Sequence, residues 1–199
     1  MMTQTHILVG LAAFGRPKHT LRNALAIAGG IVPDAAIFVM YGIEKLKGTP
    51  ESKIWREVYF GPFWQDVVAW GNSIPLWLML LASAWLLNHR GHRRVAGLLA
   101  VFAGSCLAHM ALDFPVHVED AHRHLFPLSD FRFRSLVSYW DPRHFGIQMA
   151  ICESLMGSVI SVLLIRRFKN LIGRIGIAML LLGYLAVPTY FAIQFITAA

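Results

Sequence analysis

Charge is scarce in this sequence. Asp, Glu, Lys and Arg make up 15% of its 199 residues, against about 25% in ordinary soluble domains. Hydrophobic residues make up 56%, and mean hydropathy is +0.54. This balance excludes a soluble domain and points to a membrane protein. Cysteine is scarce as well. Cys106 and Cys152 both sit inside apolar runs, which excludes a disulfide framework and marks them as small core side chains. No Lys or Arg precedes the first apolar run, Thr3–Phe14, and Arg16, Lys18 and Arg22 follow it. That order excludes a signal peptide and predicts that the run stays in the chain. Low-complexity tracts and internal repeats are absent.

What the chain has instead is long apolar runs. A helical span needs about 20 mainly apolar residues, and Leu21–Gly42, Ala69–Leu87, Arg94–Leu112, Phe145–Ile165 and Gly173–Thr197 qualify. Thr3–Phe14 is shorter: a tilted span, a re-entrant segment or a helix half in the interface. The expectation is an all-α, multi-spanning bundle of five to six hydrophobic segments. It forms one integral membrane domain over residues 1–199, with the lipid bilayer as its partner.

The net charge of +7 is unevenly spread. The connections Arg16–Arg22, His89–Arg94 and Arg166–Arg174 carry three, three and four basic residues and no acidic ones. Glu44–Val68 and Phe114–His144 each carry four of either sign. Lys and Arg mark cytoplasmic loops, so six segments put the two long loops and both termini on the extracytoplasmic side. The basic excess is thereby assigned to orientation, not to a nucleic-acid stripe. In Glu44–Val68, Trp55, Tyr59, Phe60, Phe63 and Trp64 fit an aromatic belt at the headgroups. The Phe114–His144 loop, with Pro115, Pro127 and Pro142, is expected to be an ordered cap within the domain.

Three carboxylates fall inside or at the edge of spans: Asp34, Asp113 and Glu153. A charge there costs at least about 2.5 kcal/mol on insertion scales and usually marks a cavity, a partner or a site. Pro33 beside Asp34 interrupts its helix, and a broken helix is tolerated where it lines a protein cavity. His109 and Asp113 are four apart, on one helix face. Imidazole and carboxylate together are a common ligand set for Zn, Fe or Mn, although such a pair also serves as a plain hydrogen-bonded contact. The expected topology puts His6, Asp34, Asn72, Ser73, His109 and Asp113 at one outer depth. His117, Asp120, His122 and His124 lie in the loop above. Glu153 is expected to pair with a polar group in the bundle.

The Thr5-His6 start, Pro33-Asp34 and His109-x-x-x-Asp113 resemble the bacterial membrane-bound metal-dependent hydrolase family over roughly the first 115 residues. That family has an N-terminal Thr-His, a Pro-Asp-x-Asp, a His-Arg-x-x-Thr-His-Ser and a later His-x-x-x-Asp. The resemblance implies a multi-pass protein of the bacterial inner (cytoplasmic) membrane. Two departures stand out: Ala36 replaces the second Asp of Pro-Asp-x-Asp, and Gly71-Asn72-Ser73 is what remains of the third element. Either the loop supplies substitute ligands, or the chain is a degenerate member.

The functional expectation is a hydrolase using a divalent metal, Zn among the candidates, held by His6, Asp34, His109 and Asp113. Asp120, His117 or His122 is the general base or the group that orients a ligand. Arg123, Arg132, Arg134 and Arg143 suit an anionic group such as phosphate. Together with Asn72, Ser73, Asp141 and His144 they are the expected contacts to an amphiphilic or phosphate-containing substrate. Two rivals remain: a transporter or proton-coupled carrier using Asp34 and Glu153, and a structural His/Asp network holding the cap. The sequence leaves the oligomeric state open.

Overall fold

The second apolar run breaks in its middle. Pro33 has no N–H to give a helix, and the backbone tightens into a 3-10 turn at Val32–Asp34 between α2 (Thr20–Ile31) and α3 (Ala35–Leu46). The computed structural model describes residues 1–197, with side chains as far as Tyr184. Its other helices are α1 (Thr3–Phe14), the single turn α4 (Glu51–Lys53) continued by a π-helical turn (Ile54–Val58), and α5 (Pro62–Gly71). They are followed by α6 (Ile74–His89), α7 (Arg93–Asp113), a 3-10 turn at Pro142–His144, α8 (Gly146–Arg167) and α9 (Leu171–Thr197). No strand occurs among the described residues, so the class is all-α, as the composition implies. The expected outer placement of the C-terminus falls outside the described residues.

Four stretches are long and apolar enough to cross a membrane: Thr20–Leu46, Pro62–His89, Arg93–Asp113 and Gly146–Arg167. Leu171–Tyr184 is a shorter apolar helix. Leu78, Met79, Trp85, Leu155, Val159 and Met179 turn outward, each at least half exposed. Apolar surface on this scale calls for lipid rather than water, and helices satisfy their own backbone groups in lipid. The chain is thus built as an integral membrane protein.

Two of the expected spans are compound. The run at Leu21–Gly42 is α2 and most of α3, joined at Pro33. The run at Ala69–Leu87 begins in the last turn of α5 and restarts at α6, where Ser73 Oγ accepts from Leu76 N at 3.2 Å as an N-cap. Glu44–Val68, expected as a long loop, is largely helical. Its aromatic belt is also smaller than expected. Phe63 and Phe60 face outward, but Tyr59 and Trp64 are buried with Met40 and Ile54 in a small core between α3 and α5.

The twelve-residue α1 is about 18 Å long, short of a ~30 Å hydrocarbon core. It is inserted among α2, α7 and α8, with Leu8 and His6 buried. Small residues allow this approach. A Cβ added at Gly29 would lie 2.6 Å from Ser105 Cβ and 2.7 Å from the Phe102 carbonyl oxygen. One added at Gly30 would meet the His6 carbonyl at 2.8 Å. Ser105 Oγ donates to Ala26 O at 2.6 Å, and His109 Nδ1 reaches Gly30 O at 3.0 Å. The paired positions rise together, so α2 and α7 run parallel, with α1 antiparallel to both.

The far end of α1 is capped by arginines, as a helix C-terminus favours. Arg22 Nε donates to Phe14 O at 2.6 Å, and Arg167 donates to Ala12 O at 2.7 Å and to Gly15 O. Arg94 joins Arg22 and His19 along one surface depression. All three basic connections therefore meet at one end of the bundle, opposite the His/Asp residues.

The close approach of α2 and α7 predicts that Gly29→Val overpacks the bundle by about 1–3 kcal/mol or more. It should lower the unfolding temperature in detergent by several degrees. Gly97→Ala, with nothing within 4 Å of the added Cβ, should leave it unchanged or slightly raised.

Candidate metal centre

Asp113 is the last residue of α7, and only 1% of it is exposed. Three imidazoles face its carboxylate. His109 Nε2 is 2.9 Å from Oδ2, while His6 Nε2 and His117 Nε2 are 3.1 and 3.6 Å from Oδ1. The Met1 amino group lies against the same Oδ1. Asp34, placed by the 3-10 turn after α2, brings Oδ2 to 3.5 Å from His109 Nε2. The rings of His6 and His109 stack at 3.6 Å, 18° from parallel. So α1, the α2–α3 break and α7 deliver four expected ligands to one point.

These groups are close but poorly hydrogen-bonded. His6 Nδ1 and Nε2, His109 Nε2, His117 Nε2 and Asp34 Oδ1 are all buried without a hydrogen-bond partner of good geometry. Buried polar atoms are normally satisfied, so a group of orphans in one place points to a missing partner. His109 is oriented for that role. With Gly30 O beside Nδ1, that nitrogen carries a proton, and Nε2 is left facing Asp34 and Asp113, where a metal would take it.

One atom from each of His6, Asp34, His109 and Asp113 lies within 4.8 Å of all the others. Tetrahedral bonds of about 2.0–2.1 Å place ligand atoms roughly 3.3–3.4 Å apart, close to the separations here. Two imidazoles and two carboxylates also match the donor preferences of Zn, Mn or Fe. The residues therefore fit a divalent cation.

The loop adds a second layer to the centre. His117 and His122 are buried, at 6% and 5% exposure, with ring centroids 4.7 Å apart. His117 Nδ1 lies 2.9 Å from Asp120 Oδ2, which also accepts from Trp140 Nε1 at 3.0 Å. Burial opposes ionisation of Asp120, but the His117 imidazole and the Trp140 N–H outweigh it and hold the carboxyl at about 2. Burial lowers the pKa of His117, and its flanking carboxylates Asp113 and Asp120 raise it further than burial lowers it. Burial, with His117 alongside, pushes His122 down to about 3, so its ring is neutral at physiological pH. His124 is buried as well, its Nδ1 3.2 Å from Asn72 O. The run of histidines in His109–His124 pointed to this residue, but nothing in the pattern separated it from a surface loop position.

The expected substrate contacts are mostly engaged elsewhere. Asn72 Nδ2 donates to Pro33 O at 3.1 Å and to Val68 O at 3.3 Å, and Ser73 Oγ donates to Phe126 O at 2.5 Å. Both splice the α5–α6 break to its surroundings. Arg123 pairs with Asp66 and Asp130 at 2.5 and 2.8 Å and stacks over Phe126. Arg132 donates to Gln65 Oε1 at 2.8 Å and to Ala121 O at 2.7 Å. Arg143 and His144 both bond to the Asp141 carboxylate around the turn before α8. Arg134 is exposed. Glu153 also stays outside the cluster. Its Oε1 accepts from Thr5 Oγ1 at 2.5 Å and Met2 N at 2.7 Å, and Thr5 in turn meets the Tyr184 hydroxyl at 2.6 Å.

Comparison with protein-family models, curated proteins and solved structures finds no match.

Removing the shared carboxylate should be costly even without metal. Asp113→Asn leaves buried His6, His109 and His117 without their anion, a loss of about 3–5 kcal/mol for a broken buried pair. A clear fall in the unfolding temperature of the chelator-treated protein is expected. Lys45→Ala, which breaks only an exposed pair with Glu51, should leave it in place.

Proposed function

We propose that the chain is a membrane-embedded, metal-dependent hydrolase, with its site where the bundle meets the cap. The observation that carries this reading is the convergence of buried atoms without hydrogen-bond partners from His6, Asp34 and His109 on the buried carboxylate of Asp113. A hydrogen-bonded structural network would satisfy such atoms rather than orphan them. The resemblance of Thr5-His6, Pro33-Asp34 and His109-x-x-x-Asp113 to bacterial membrane-bound metal-dependent hydrolases supports it further.

In this reading His6, Asp34, His109 and Asp113 hold a divalent cation, Zn among the candidates. Such a cation, when bound, lowers the pKa of a coordinated water and polarises the bond under attack. Gly30 O fixes the His109 ring, and Asp120 fixes His117, itself steadied by the Trp140 N–H. The cap over His117, His122 and His124 keeps bulk water from the donors. The clustering of Arg22, Arg94 and Arg167 at the opposite end supports a cytoplasmic placement for that end. The site then faces the extracytoplasmic side of a bacterial inner membrane. Exposed Leu128, Phe131, Leu136 and Trp140 on the cap favour an amphiphilic substrate presented at the bilayer surface, a phosphate ester on such a lipid among the candidates.

Elemental mass spectrometry on detergent-purified protein tests this. Near-stoichiometric Zn, Mn or Fe is expected in wild type and not in the His109→Ala, Asp113→Ala double variant. A chelator should abolish hydrolysis of phosphate esters and added metal should restore it. Folded wild type that takes up no metal after reloading would sink the proposal.

A further inference from the structure

The four-donor cluster accounts for only part of the orphaned chemistry. Asp113, His117 and His122 form a second group, each offering one atom within 4.8 Å of the other two. All three are at least 94% buried. His117 Nε2 has no hydrogen-bond partner and lies 3.6 Å from Asp113 Oδ1. Its other nitrogen faces Asp120, the carboxylate–imidazole arrangement that orients a metal-binding histidine and raises its basicity. Asp113 belongs to both groups, with His109 at Oδ2 and with His6 and His117 at Oδ1.

We infer that the centre takes two divalent cations, with Asp113 as the bridging carboxylate: one on His6, Asp34 and His109, the second on His117 and His122. The inference rests on the metal-dependent reading above and extends it. Paired-metal hydrolytic sites hold their ions about 3.5–4 Å apart, a spacing that one shared carboxylate spans. The two halves are also unequal. The first has four protein donors, so a water there needs a fifth coordination position. The second has three, the number that leaves a position open for water or substrate. The loop half is therefore the one that meets substrate, and His117 and His122 act as ligands rather than as proton carriers. Two divalent cations against Asp34, Asp113 and Asp120, with the Met1 amino group beside Asp113, leave a net positive charge, which selects for an anionic group such as a phosphate.

The test is metal stoichiometry, independent of any activity. Wild type in detergent is stripped with chelator, reloaded with Mn(II), desalted, and measured by elemental mass spectrometry and electron paramagnetic resonance. Two Mn per chain with an exchange-coupled spectrum are expected. His117→Gln, His122→Gln should fall to one Mn per chain, with the six-line signal of an isolated ion. Asp120→Asn should keep both sites but weaken the second by about 10–100-fold. One uncoupled Mn in wild type, unchanged by His117→Gln, His122→Gln, would overturn the second site and leave the proposed function standing. No Mn in folded wild type would overturn both. The wild-type spectrum decides the matter even where the loop variants fail to fold.

Discussion

A carboxylate buried at the end of an apolar helix must be met by positive charge or hydrogen-bond donors, and Asp113 organises the molecule around that need. An isolated charge in such surroundings is worth several kcal/mol against folding. The chain answers it from three directions: α1 contributes His6, α7 itself contributes His109, and the loop folds back to contribute His117. Each answering imidazole then requires its own placement. Gly30 supplies a carbonyl for His109, and Asp120 supplies a carboxylate for His117. The cap is thus tied to the bundle through polar contacts, in a chain that otherwise holds itself together by apolar packing.

Backbone irregularity is what makes the convergence possible. A continuous helix through residue 34 would carry Asp34 along a helical path set by Thr20–Ile31. Pro33 breaks that path, and the 3-10 turn at Val32–Asp34 brings the carboxylate to His109. The second break, at Asn72-Ser73, packs directly on the first: Asn72 donates to Pro33 O, and a Cβ at Gly71 would collide with the same residue. Carbonyls freed at the breaks find partners within the protein: Pro33 O accepts from Asn72 Nδ2, Gly71 O accepts from Trp77 Nε1, and Asn72 O faces His124 Nδ1, as irregular structure at membrane depth requires.

Much of this was legible in the sequence. Hydropathy gave the helices because lipid imposes a single length scale, and the three basic connections marked one end of the bundle. The i, i+4 spacing of His109 and Asp113 put them on one face, and the scarcity of carboxylates made Asp34 conspicuous. What lay beyond reach was tertiary. Nothing in Glu44–Val68 distinguishes aromatic residues that face lipid, such as Phe63, from those buried beneath α3, such as Tyr59 and Trp64. His122 and His124 occupy a polar loop with no periodicity to reveal burial. The roles of Asn72 and Ser73 depend on a partner chain segment, Phe126 and Pro33, that is distant in sequence.

The arginines of the cap show why charge alone misleads. Four of them in a loop above a polar site read as an anion-binding surface. Three have their guanidinium groups committed: Arg123 to Asp66, Asp130 and the Phe126 ring, Arg132 to Gln65 and Ala121, Arg143 to Asp141. Arg123 and Arg132 both reach α5 through those partners, so they clamp the loop to the α3–α5 hairpin rather than wait for a ligand. In the proposed reading, attraction for an anionic group must then come from the centre itself, where the balance between three carboxylates and the cations they would hold sets the local charge. Arg123 and Arg132 contribute by holding the loop that carries His117 and His122 in register against α5.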